Sequence, residues 1–257
     1  MSAVATAAAP TRPEHTRPGL LRLTGVELRK MVDTRAGLWL LISTAGLTLA
    51  AVVIVCAAGN AEDHDLASML EVALAPSSIL LPIIGILLVS SEWSQRTALV
   101  TFALVPQRGR VLLAKVLAGL VLSLAAFLLC IAVAAVAVAI VSPEGDHVWR
   151  LQAGLLLQDV VAVTTGMVTG IAFGAALLAS APAIVLYFAL PIAFSALGAL
   201  SFFDGIADWV DASRALAPLT EHVMSGGEWA RALTALGVWM ILPLAIGSWR
   251  LRREELR

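Results

Sequence analysis

The side chains of this chain best placed to act on another molecule fall in one polar segment between two apolar stretches. It runs from about residue 91 to 110 and carries Glu92, Trp93, Gln95, Arg96, Thr97, Thr101 and Arg108. Ser94, Thr97, Thr101 and Arg108 recur at helical spacing, while Trp93, Leu99, Phe102 and Val105 take much of the other face. Pro106 stops that helix, and Arg108 and Arg110 follow it. A carboxylate, hydroxyls and guanidinium groups on one helix face make ion pairs and hydrogen bonds to a protein surface. The chemistry is that of docking a soluble partner, with any force on the helix passed to the stretches on either side.

Bond-making chemistry has no comparable set of residues. A GxSG motif is missing, and His222 and Ser225 stand in a loop with no triad-like arrangement. Glu254 and Glu255 lie in a charged tail, and His64, His147 and His222 read as scattered, solvated side chains. No GxxxxGK[ST] loop occurs to cradle ATP. Cys56 and Cys130 sit in apolar stretches without a CxxC or Cys/His cluster, so neither a disulfide framework nor a metal site is expected.

The elements that must carry the polar segment are membrane spans. At 60% hydrophobic residues and a mean hydropathy of +0.91, the composition is not that of a soluble domain. Six apolar stretches fall at about 38–58, 73–90, 111–141, 155–178, 182–200 and 231–249, against roughly 20 residues needed to cross a bilayer. The fold class expected is all-α, with six transmembrane helices. Of the 17 Lys and Arg, six precede the first stretch, four lie from Arg96 to Lys115, and four follow the last stretch. Arg150, Arg214 and Arg231 alone fall on the other side. The positive-inside bias then puts both termini in the cytoplasm of a plasma-membrane protein. The Ala-, Thr- and Pro-rich start, 1–19, reads as a disordered cytoplasmic tail with no signal peptide. Residues 20–257 read as one transmembrane domain.

The stretches hold few ionisable groups. Asp159 is near the outer end of the fourth, and Lys115 and Arg231 stand at span ends, where they can snorkel to headgroups. Gly166, Gly170 and Gly174 form a GxxxGxxxG stripe that permits close helix approach, within the subunit or to a second copy. Pro82, Pro191 and Pro243 are candidate kinks. Before the first span, Leu20 to Arg35 sets apolar residues among Glu27, Arg29, Lys30 and Arg35, the pattern of an interfacial helix against membrane lipids or of a simple basic stop. Between the fifth and sixth spans, 201–229 is apolar for a loop. Phe202, Ile206, Trp209 and Val210 share a helical face, and Phe203 adjoins it. This is either a re-entrant helix or an outer-leaflet helix anchored by Trp and Phe.

The polar segment resembles the corresponding one of ABC-2-type transporter permeases, especially small ones of high-GC Gram-positive bacteria. Their pattern of Glu–aromatic, Gly–Thr, a further Thr, Pro-x-Arg and Ala-Lys is met by Glu92, Trp93, Thr97, Thr101, Pro106, Arg108, Ala114 and Lys115, with Arg96 where the pattern has Gly. The stretch from Glu27 to Lys30, with Arg35, is similar to the family's N-terminal interfacial helix. The resemblance implies a non-enzymatic permease subunit, dimeric with a second copy or a paralogue. Separate ABC ATPase subunits would bind ATP and Mg and dock on the 92–105 coupling helix, with Arg108 beyond it. No cofactor is held by this chain and no nucleic acid is a partner. The implied activity is export of a hydrophobic or amphipathic drug, antibiotic, peptide or lipid-like molecule, as in efflux-based resistance. The residues alone leave open an ATP-independent carrier or channel, and a non-transporting assembly or sensor subunit.

Overall fold

A computed structural model describes residues 19–59, 64–94, 107–141, 148–198 and 205–253, and every regular element among them is a helix. The short α1 (Leu20–Asp33) is followed by α2 (Arg35–Ala58), α3 (Leu66–Ser94), α4 (Arg108–Val141), α5 (Ala153–Leu177) and α6 (Ser180–Gly198). Three one-turn helices come next, α7 (Ala207–Val210), α8 (Ala212–Leu216) and α9 (Pro218–Glu221). The last long helix covers Gly226–Arg253 as α10 (Gly226–Leu236), a π-helical turn (Gly237–Ile241) and α11 (Leu242–Arg253). Six helices are long and apolar enough to cross a membrane: α2 to α6 and this last one. The N-terminal tail up to residue 18 lies outside the described residues.

The second and sixth spans are longer than their hydropathy suggests. Asp65 caps α3, its Oδ1 accepting from the backbone N–H of Ala67 at 2.9 Å and of Ser68 at 3.2 Å. The helix then runs through Glu71, Pro76, Ser77, Ser78 and Pro82, residues that dilute an apolar average without stopping a packed helix. A capping box of Ser225 and Glu228 starts α10. The π turn ends two residues before Pro243, which has no N–H to give to the helical ladder.

Helices α3 and α5 form the central pair. The glycine stripe is used there, within the subunit. A Cβ on Gly170 would land on the Pro82 carbonyl of α3, and one on Gly174 would come within 2.7 Å of the Ile86 carbonyl oxygen. Gly85 answers from α3, where a Cβ would lie 2.6 Å from the Met167 carbonyl oxygen. Gly166 differs, because its nearest neighbour, Pro82, is at ordinary contact distance. Gly170→Ala is therefore expected to cost about 3 kcal/mol by backbone overpacking. Gly166→Ala should be neutral or stabilising by about 0.5 kcal/mol through helix propensity. Thermal unfolding of the two variants in detergent checks this, and equal midpoints would show that the stripe is not the α3–α5 contact.

Polar side chains add fixed points inside the bundle. The Ala73 carbonyl of α3 accepts from Thr48 Oγ1 of α2 at 3.1 Å and from Cys130 Sγ of α4 at 3.3 Å. Most apolar side chains of α2, α4, α6 and the last helix instead face outward, as lipid-facing residues do.

Candidate functional site

The most concentrated polar chemistry lies at the α1 end of the bundle, where α1, the end of α3 and the start of α4 meet. Thr34 ends α1 in an extended conformation, and its Oγ1 caps α2 by accepting from Gly37 N–H at 3.2 Å. Gly37 packs on the Met31 carbonyl, where any Cβ would clash. The tight corner lays α1 against α4 and α3. Its inward face is Thr24, Glu27 and Met31, while Leu21, Val26 and Val32 point away from the protein.

Glu27 thereby enters an ionic cluster. Its Oε2 accepts from Lys115 Nζ of α4 at 2.7 Å, and its Oε1 from Lys30 Nζ one turn along α1 at 2.8 Å. Glu92, in the last turn of α3, accepts through Oε1 from both ammonium groups, Lys30 at 2.7 Å and Lys115 at 2.9 Å. The third hydrogen of Lys115 goes to the Leu88 carbonyl at 2.9 Å, so its three donors are used. Lys115 keeps 3% of its surface, Glu27 4% and Glu92 7%, while Lys30 forms the wetter rim. Burial works against the Lys30 charge, but the Glu27 and Glu92 carboxylates outweigh it and hold the ammonium above its ordinary pKa. Among the described residues the cluster pairs two acids with two bases, the condition under which buried charges persist.

This corrects the expectation for Lys115. It does not snorkel to a headgroup, because α1 folds back and brings Glu27 to it. The bundle is correspondingly not free of buried charge. Arg29 stays on the exposed face of α1, paired with Asp33 at 3.0 Å, and Arg35 is exposed at the start of α2. Glu92 and Trp93 belong to the final turn of α3. Gln95, Arg96, Thr97 and Thr101 lie outside the described residues. Arg108 opens α4 and donates to the Leu251 carbonyl of α11 at 2.6 Å. Arg250 does the same for the end of α5, donating to the Ala176 carbonyl at 2.9 Å. Comparison with protein-family models finds no match, and comparison with the curated proteins finds none either.

At the opposite end of the bundle, the connection before α10 is tied down by a residue that the sequence reading passed over. Gln158, in the first turns of α5, is buried. Its Nε2 shares two hydrogens among the carbonyls of Pro218, Leu219 and His222, at 3.3, 3.1 and 2.7 Å, and its Oε1 accepts from Met224 N–H at 2.9 Å. A lone amide in an apolar helix was the available signal. Trp239 adds a second tie, donating from Nε1 to the Val210 carbonyl at 2.6 Å. Ile206 and Trp209 are exposed beside α7, and Phe202 and Phe203 lie outside the described residues. Helices α7 to α9 are each about 6–8 Å long, a third or less of what a span needs.

Beneath this connection lies a cavity of about 760 Å³ between α3, α5 and α6. It reaches from Glu71 and Asp159 down to Pro82 and Phe173. Glu71 lies just before the 73–90 stretch expected from hydropathy and stands in the second turn of α3.

Proposed function

We propose that this chain is the membrane-spanning permease subunit of an ABC exporter of the ABC-2 type, in the plasma membrane with both termini cytoplasmic. The observation that carries the reading is the Glu27–Lys30–Glu92–Lys115 cluster. It joins the N-terminal helix to the two helices that flank the 95–107 connection, so a push on that connection moves three elements as one body. A coupling element needs that stiffness, because interactions held by a loose attachment do not transmit a displacement. The six apolar helices and the loop resemblance support the same reading.

On this reading the α1 end faces the cytoplasm. Two ATPase subunits bind ATP and Mg and dock against the 92–105 segment, and a second copy or a paralogue completes the permease. ATP closes the ATPase pair, and its differential affinity for the two states shifts the bundle from inward- to outward-open. The cargo is hydrophobic or amphipathic, and efflux-type resistance is the corresponding role.

The test is purification through a tag on the C-terminus, with measurement of co-purifying ATPase. A stoichiometric ATPase with vanadate-sensitive turnover supports the proposal, and Glu92→Gln should uncouple that turnover from transport while the complex stays assembled. An ATPase-free chain that moves solute across liposomes overturns it in favour of an ATP-independent carrier or channel. One observation favours that second reading, the carboxylates on the cavity wall, since ion-coupled carriers place such groups along their path.

A further inference from the structure

The cavity at the far end of the bundle has a chemistry that the coupling cluster does not use. Three carboxylates line it: Glu71 from α3, Asp159 from α5 and Glu221 from α9. Among the described residues that line it there is no Lys or Arg. Among the described residues none of the three carboxylates is in an ion pair. Glu71 and Asp159 stand on the neighbouring helices α3 and α5 and line the same largely apolar space, where two like charges repel. The rest of the wall is largely apolar, and its deep part is aromatic. Phe173 of α5 meets Tyr187 of α6 edge-on at 5.8 Å, and Tyr187 meets Phe188 at 4.9 Å. From Asp159 to Phe173 the helix rises roughly 21 Å, which separates the acidic mouth from the aromatic floor. The volume lies within the roughly 300–1,000 Å³ of small-molecule sites.

We propose that this cavity binds an amphipathic organic cation, with its charged head between Glu71 and Asp159 and its apolar body against Phe173 and Tyr187. A cation relieves the repulsion between the two carboxylates, and its body displaces water from apolar wall, so both ends of such a molecule gain on entry. An anion would face three like charges. A small inorganic cation would leave most of the volume unfilled. The inference deepens the export reading by naming its cargo class and rests on that reading for the word cargo. Binding itself rests on the cavity alone.

The test therefore uses the purified chain in lipid nanodiscs without ATPase or nucleotide. Binding of rhodamine 6G is followed by fluorescence anisotropy and competed with tetraphenylphosphonium or with its anionic counterpart tetraphenylborate. Saturable binding is expected, displaced by the phosphonium and not by the borate. The E71Q/D159N double variant should weaken it about tenfold or more, about 1.4 kcal/mol. A second variant, Ala162→Trp, fills the cavity and leaves every charge in place, and it too should abolish saturable binding. It decides the matter if the double variant unfolds. Absence of saturable binding, equal competition by tetraphenylborate, or unchanged affinity in the folded variants overturns the proposal. A chain that binds rhodamine 6G in this way yet recruits no ATPase would overturn the export reading and leave the binding site standing.

Discussion

Lys115→Met is expected to destabilise the folded chain by about 3–5 kcal/mol, the cost of leaving buried charge without its partner. The ammonium is 3% exposed and holds Glu27, Glu92 and the Leu88 carbonyl at once. Its removal takes one of two ammonium groups from the buried carboxylates, and α1 loses its ion pair to α4. Thermal unfolding in detergent at neutral pH reads the effect, and protease access to the 20–33 segment reads its location. The double variant E27Q/K115M removes one charge of each sign and retains the Lys30–Glu92 pair, so it should recover a large part of the loss. Recovery is what separates a charge-balance effect from simple loss of packing, because the double variant has the same methionine. Added salt should change little, since buried pairs are screened far less than exposed ones. A K115M protein as stable as the parent would show that the cluster does not hold α1 in place.

Gln158→Glu is expected to be the most damaging single change at the opposite end. The amide shares two hydrogens among three carbonyls and accepts from the Met224 N–H. A carboxylate has no hydrogen to give, and it would set a buried negative charge against three carbonyl oxygens. The loss should reach about 3 kcal/mol, since each unsatisfied buried group costs about 1–3 kcal/mol. Gln158→Leu should cost less than Gln158→Glu, because it removes the hydrogen bonds without adding the charge. Hydrogen exchange of residues 218–224 tests the placement of the effect. Faster exchange confined to that connection, with the bundle intact, is the expected pattern. Uniform protection in both variants would mean that Gln158 does not tether it.

Much of the architecture was legible from residue types alone. Long runs of apolar side chains are enough to demand helices, since backbone groups in lipid must be satisfied within the helix. The spans at 38–58 and 111–141 lie within α2 and α4, and the helix before the first span runs over Leu20–Asp33. Span ends were harder. The α3 extension back through Glu71 to Leu66 is invisible to an average of hydropathy, because a helix tolerates such a residue near its end. The same average hid the capping box that starts α10 at Gly226.

Faces were not legible at all in the apolar helices. A lipid tail and a leucine side chain are equally apolar, so periodicity in hydropathy carries no record of which side meets protein. That is why the glycine stripe left two readings open until Gly170 and Gly174 were seen against Pro82 and Ile86. The inward face of the amphipathic α1 was not legible either, with Glu27 inward and Leu21 outward. A polar residue on an amphipathic stripe is ordinarily assigned to water, and only the fold supplies a buried counter-charge 88 residues away.

The sequence by itself determined a helical chain with six membrane-length apolar segments and a basic, polar connection between the second and third. These are local properties, set by side-chain transfer energies and by the need of each segment to satisfy its own backbone. Tertiary structure alone decided that Glu27, Lys30, Glu92 and Lys115 meet in one ionic cluster. It alone decided that Gln158 fastens a distant connection, and that three carboxylates share one cavity. Those outcomes depend on pairings between residues far apart in the chain, and charges and amides have no preferred partner until packing removes the water that would otherwise serve them all.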